Sequence, residues 1–392
     1  MTTNLKAWTL RIGAISAGLV LLISFANVKS YADKKKPEPK KVELVWPLPP
    51  DQARVRWDSM IRGAFDVEPM KKANWLDRVA GIQKRDFKPS LMKPYGIATD
   101  SKGRIYVSDS GQQIVFVFDR EHHKVDFLGS TMQVHLRVPL GIAIDGKDRI
   151  WVADAIGQHV FAFDTDGNLL MAVGKMEEMN NPTAVAVDDK RHRLYVTDSK
   201  NHCVLVYDSE TGLLITKFGQ RGTGPGEFNF PTNLALSSDG KIYVADTMNF
   251  RVQIFDPEYK FVDSFGQQGQ RWGQFSKVKG IALDDHDNVY VVDSDFCNVQ
   301  VFDQNKRLLL FFAGFGKGPG GFWLPAGMHI DTRTNTLFVA DQNNQRIQIF
   351  KLVNTSPVAE SQPAAPAATP AAPPDAGKSS GEATKPNSGP AQ

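Results

Sequence analysis

A chain of 392 residues exceeds the usual size of one domain, and its 46 basic and 43 acidic side chains leave a formal net charge of +3. The excess sits at the N-terminal end: residues 1–32 hold Lys6, Arg11 and Lys29 and no acid, while residues 51–353 hold 36 Lys and Arg against 37 Asp and Glu. That balance lacks the basic footprint with which nucleic-acid binders neutralise phosphate, so no nucleic-acid partner is expected.

Lys6 and Arg11 precede an apolar run from Ile12 to Val28, and Ser30, Tyr31 and Ala32 form a small-x-small exit. Basic head, short apolar run and small residues predict a signal peptide over 1–32, and with it an exported chain in the periplasm or at the cell surface. The run falls short of the ~20 apolar residues a bilayer core requires, so no stable membrane span is expected after cleavage. Residues 33–50 read as a basic, proline-rich linker.

From residue 51 to 353 one phrase recurs six times: VSDSGQQIVFVFD, VADAIGQHVFAFD, VTDSKNHCVLVYD, VADTMNFRVQIFD, VVDSDFCNVQVFD and VADQNNQRIQIF. Aligned on Asp109, Asp154, Asp198, Asp246, Asp293 and Asp341, the units are spaced by 45, 44, 48, 47 and 48 residues. Each has an upstream run such as PYGIATD or PLGIAID, and a fourth, closing run shows in LLITKFG, KFVDSFG and LLLFFAG. Four short runs per unit, separated by turn residues, predict a four-stranded antiparallel blade. One blade cannot bury both of its faces, so the blades stack around an axis. The expected fold is all-β, a six-bladed β-propeller of four-stranded antiparallel blades.

The sixth unit stops after RIQIFKLV without a fourth strand, and VRWDSMI (55–61) resembles the missing one. This N-terminal strand is expected to close the last blade and cover its open edge. Trp75, Leu76, Val79 and Ile82 fall at helical spacing and predict a helical insertion over about 70–85. Residues 354–392 are rich in Pro, Ala, Ser and Thr, with too few large apolar side chains to offset chain entropy, and are expected to be disordered.

VADTMNFRVQIF and VADQNNQRIQIF resemble the repeat phrase of the NHL family of propellers, and VWPLPPDQARVRW resembles the lead-in of exported bacterial members. Blades one, two, three and five depart from the phrase, with Ile114, His159, Cys203 and Asn298 where Arg251 and Arg346 stand. The resemblance implies the fold. It leaves function open among enzymes, RNA binders and protein-binding scaffolds, because function belongs to sites rather than folds.

The chemistry on offer is sparse. Rings of Asp could hold Ca²⁺, but an Asp that ends a strand in every unit suits a turn-capping role better. Cys203 and Cys297 lie in different units and are expected not to pair. No CxxCH occurs and no cofactor is expected. His329 stands where other inner strands carry Ala98, Ala143, Ala186, Ala235 and Ala282; it is a candidate metal ligand without a companion His at that register. The glycine-rich stretches 219–228, 266–275 and 314–322 connect strand to strand, so they read as inter-blade loops rather than phosphate cradles.

What remains is surface. The turns after the second strands share one face with the inter-blade loops. Gln158, His159, Asn201, His202, Asn249, Phe250, Arg251, Trp272, Phe296 and Gln345 compose the expected binding face, with aromatics and Arg amid amides. The expected function is a non-catalytic binding propeller, a monomeric disc that recognises a protein partner in the cell envelope. An envelope or extracellular redox complex is suggested by family analogy alone. The alternative is a metal-dependent hydrolase or lyase with an axial site.

Overall fold

The computed structural model of the chain describes residues 43–68, 88–130, 134–175 and 177–353. The segments expected as signal peptide (1–32), helical insertion (70–85) and tail (354–392) lie outside the described residues, as does the linker up to residue 42.

Blade one consists of strands Pro94–Thr99, Ile105–Asp109, Ile114–Asp119 and Lys124–Leu128, hydrogen-bonded in that order. Blade two follows with Pro139–Ile144, Ile150–Asp154, His159–Phe163 and Leu169–Val173. Blade three is Pro182–Asp188, Arg193–Asp198, Cys203–Asp208 and Leu214–Phe218. Blade four is Pro231–Leu236, Ile242–Asp246, Arg251–Phe255 and Phe261–Phe265. Blade five is Val278–Leu283, Val289–Asp293, Asn298–Phe302 and Leu308–Phe312. Blade six is Pro325–Asp331, Thr336–Asp341 and Arg346–Leu352, completed by Val55–Ile61 from the start of the chain.

Burial explains the composition of each run. A second strand such as Ile150–Asp154 is covered on both sides by neighbouring blades and is buried at every position. Ahead of its closing Asp it is therefore continuously apolar rather than alternating. The outer strands are half-exposed, and Leu213, Leu214 and Ile215 of blade three face solvent. Inner strands touch in cyclic order from blade one to blade six and back to one. Their glycines permit this closeness. A methyl group on Gly96 would strike the Leu140 carbonyl, and one on Gly327 would strike that of Tyr95, across the junction of blades six and one.

The chain ends zip the ring as expected. Val55 pairs with Leu352 and Ile61 with Ile347, and Trp57 Nε1 donates to Gln348 Oε1 at 3.0 Å. Where a linker is expected up to residue 50, the structure differs. Val45–Trp46 forms a fifth strand on Val55–Ile61, and Trp46 packs 5.7 Å from Phe312 and 6.1 Å from Phe350, measured between ring centres. Burial of this one aromatic outweighs the prolines around it. Cys203 and Cys297 are free and buried, and burial pushes the Cys203 thiol up to about 12.

Candidate functional site

Because strands alternate in direction, the second-strand ends meet the inter-blade loops on one face, called here the upper face. The repeated Asp stitches the two together. Asp109 accepts from the backbone N–H groups of Met92 and Lys93 ahead of its inner strand, and from those of Gly111 and Gln112 in the turn. Asp154, Asp198 and Asp293 repeat the pattern, and these four carboxylates, like Asp246 and Asp341 of the other two blades, are 0–1% exposed. Carboxylates already saturated by turn donors are structural and not a Ca²⁺ ring.

Blades four and six add a polar clamp. Arg251 donates to Asp246 at 2.9 Å and to the carbonyls of Gly224 and Glu227 at 2.8 and 3.0 Å. Arg346, only 2% exposed, donates to Asp341 at 2.7 Å and to the carbonyls of Lys317, Gly318 and Gly321 at 2.8 Å each. Asn249 reaches the Gly222 carbonyl at 2.9 Å as well as Asp246. Gln253, Gln300 and Gln348 each receive a loop glycine N–H and donate to a loop carbonyl. Asn249 and Arg251, expected on the binding face, thus turn inward to satisfy carbonyls that the glycine-rich loops leave unpaired.

His202 also turns inward. It is 7% exposed, its Nδ1 accepts from the Phe230 backbone N–H at 3.1 Å, and burial followed by repulsion from Arg221 lowers its pKa. Gln158 is half-buried and donates to the Asn180 carbonyl, while His159 stacks on Phe161 at 5.8 Å. Phe250 packs partly into the core between blades four and five, and Phe296 is half-buried. Asn201 and Gln345 are exposed at turn tips.

Trp272 stands furthest out of the expected aromatic face residues, 67% exposed and stacked on Phe311 at 3.9 Å. In the next inter-blade loop, Phe315 is 73% exposed, with Trp323 edge-on to it and Lys317 over the Trp323 ring. Phe315 escapes the sequence reading because a lone Phe in a glycine loop looks like the buried plugs Phe228, Phe275 and Phe322, all 0% exposed. Its place ahead of the plug is the signal that could have revealed it.

Along the axis, His329 Nε2 lies 2.8 Å from Thr99 Oγ1 and the ring stacks on Phe338. Burial pulls its pKa down to about 4. Among the described residues the one cluster of three potential metal ligands is Asp284, Asp285 and His286, which does not include His329. These residues do not compose the multi-ligand site that an axial metal would require. One further axial residue stands out. Lys279, second in its inner strand, occupies the register of Tyr95, Leu140, Thr183, Thr232 and Ala326, and no sequence motif marks it.

Models of known families match in three stretches: "SMP-30/Gluconolactonase/LRE-like region" over 85–200, "6-bladed beta-propeller" over 177–238 and "NHL repeat" over 228–255. Human NHL repeat-containing protein 2 is 36% identical over 99 residues, 23% of this chain and 14% of that protein. Human NHL repeat-containing protein 3 is 32% identical over 83 residues, 21% of this chain and 24% of that protein. The Drosophila melanogaster protein brain tumor is 47% identical over 45 residues, 12% of this chain and 4% of its own length. The chain therefore spans no more than 24% of any of these three.

Among solved structures, a Bacteroides thetaiotaomicron protein of unknown function aligns with TM-score 0.56 at 17% identity, over 76% of each chain. A Xanthomonas campestris gluconolactonase aligns with TM-score 0.53 at 18% identity, over 76% of this chain and 98% of its own. Likeness at that identity shows the fold and transfers no chemistry.

The relatives correct one expectation. They are animal proteins of the cytoplasm or nucleus, neither secreted nor periplasmic, and this overturns the exported location. A short apolar run behind basic residues reports hydrophobicity and not passage through a membrane. No helix among the described residues is long and apolar enough to cross a membrane. The matched stretches of these relatives are non-catalytic NHL repeats, which supports a non-enzymatic reading. Repeat phrase, ring topology and family models converge on a six-bladed β-propeller, similar to NHL-repeat propellers and matching the NHL repeat itself over 228–255.

Proposed function

We propose that the protein is a non-catalytic binding module, a monomeric disc that grips a protein partner with the upper face of blades five and six. The observation that carries this reading is the exposure of Trp272, Phe315 and Trp323 at 67%, 73% and 39%. Each of the long inter-blade loops already buries a Phe as its plug, so these further aromatics are not needed to seal a blade. Rigid aromatic side chains held on hydrogen-bonded loops provide contact area at little entropic cost, as interface anchors do. Resemblance to NHL-repeat interaction domains supports the same class. The envelope setting falls with the exported location and forms no part of the proposal.

The test is capture from the cells of origin, with the full chain as bait beside a Trp272→Ala, Phe315→Ala, Trp323→Ala triple variant. A partner retained by the parent and lost by the variant, with unchanged thermal unfolding, supports the reading. Undiminished capture by the variant places the contact elsewhere.

A further inference from the structure

The inner-strand register at the upper mouth of the axis carries small or neutral side chains in every blade but the fifth. There Lys279 projects its Nζ to 5.1 Å from the centre of the Tyr95 ring. Blades five and one are separated by blade six, whose residue at this register is Ala326, so the contact reaches across the axial opening. No ion pair or hydrogen bond to the Lys279 ammonium is formed among the described residues. Its neighbours of like and opposite charge are Lys277 and the exposed Asp295. Asp295 accepts a hydrogen bond from Ser276 instead. The thiol and imidazole groups buried elsewhere are packed or hydrogen-bonded, whereas this half-buried amine faces an aromatic ring with no acceptor against it among the described residues.

A desolvated cation without a counter-charge is costly, and burial pulls Lys279 down to about 8. A π face compensates only part of lost hydration. The rim reinforces the sign. Lys93, Arg137 and Lys277 lie one or two residues ahead of their inner strands, and Lys200 lies in a second-strand turn on the same face. Against these the rim sets Asp295.

We propose that the axial mouth is a carboxylate-accepting site, in which Lys279 supplies the counter-charge, Tyr95 one wall and the basic rim the attraction. The carboxylate comes either from an acidic side chain of the protein partner or from a free small acid. The first of these rests on the face proposed above.

The experiment follows the Lys279 side-chain Cε signal by NMR in the full-length protein carrying carbon-13 lysine, with the signal assigned by its loss in Lys279→Arg. Two probes are titrated, glutarate and an acetylated, amidated Gly-Glu-Gly peptide, against sodium chloride of equal ionic strength. The expected result is a saturable shift with at least one carboxylate and none with chloride. Affinity, read for parent and variants alike by isothermal titration calorimetry with the same probes, falls at least tenfold in Lys279→Met and is largely kept in Lys279→Arg. Saturation by glutarate alone assigns a free acid, and tighter binding of the peptide assigns a side chain. Absence of a saturable shift in the parent protein overturns the proposal, whatever the variants do, and so does undiminished binding in Lys279→Met. A silent Lys279 beside aromatic-dependent capture refutes this site alone. A responsive Lys279 beside capture that survives the triple variant refutes the aromatic face alone.

Discussion

Blades four to six and blades one to three share a fold but are sealed by different chemistry. In the first group, the position two residues into the third strand is Gln253, Gln300 or Gln348, each hydrogen-bonded to the preceding inter-blade loop. In the second group the same register holds Phe116, Phe161 and Leu205, and the loops ahead of blades two and three are plugged by Leu136 and Met179, 0% and 1% exposed. One half is stitched by directional bonds to glycine loops, and the other is packed dry. Blade five is intermediate: it keeps Gln300 but has Asn298 in place of the Arg, and the buried Asn298 Oδ1 finds no partner. The polar seam thus has separable parts, and each can be removed or added.

The largest effect is expected from Arg346→Met. It leaves Asp341 buried without its ion-pair partner and removes a donor from three loop carbonyls, of which Gly321 keeps Gln348 and Gly318 keeps the Gly321 N–H, at a cost of about 3–5 kcal/mol by urea unfolding. The half-buried Arg251 should cost clearly less when changed likewise; equal losses would show that burial does not set the scale.

Next comes the inner register, where blade six replaces the common Ala with His329. Its folded pKa of about 4 lies below the ordinary 6.5, so between these values the unfolded chain binds more protons. Stability should therefore be intact above about pH 6.5 and decline as pH falls towards 4, by on the order of 2–3 kcal/mol. His329→Ala should flatten that part of the pH profile, and an unchanged acid limb would assign the decline to carboxylates.

Gln348→Leu, which imports the chemistry of blade three into blade six, should cost about 2 kcal/mol, because Gly320 N–H, the Gly321 carbonyl and Trp57 Nε1 lose partners inside a packed seam. The reverse operation, Asn298→Arg, should complete the clamp of blade five and raise stability by about 1 kcal/mol, read as a higher urea midpoint. A loss there would mean that the loop ahead of blade five does not turn its carbonyls as its neighbours do.

The ring was legible from repetition. Six aligned Asp residues and one orphan strand dictated blade number and closure, because a period of one unit leaves few alternatives. Depth was not legible. Arg251, Asn249 and His202 lie in turns, where sequence spacing assigns a face but cannot say whether a polar tip points outward or folds back onto a glycine carbonyl. The recurrence of Gln two residues after Arg251 and Arg346 was the available clue, since a surface needs no such repetition. Lys279 was hidden for the opposite reason, being a single departure from a register whose neutrality shows only once all six inner strands are superposed. The apolar N-terminal run misled about location because its composition says nothing of what a targeting apparatus would do with it.

The joint in blade six has a temporal side. Trp57 and Gln348 are 291 positions apart, yet share one hydrogen bond inside one sheet. On a ribosome the leading strand emerges first and must wait, unpaired, while five blades are made and the last third strand clears the exit tunnel. Until then Val55–Ile61 presents a bare edge that another nascent copy could capture. Assembly of this protein should accordingly stay vulnerable until its sixth blade is complete.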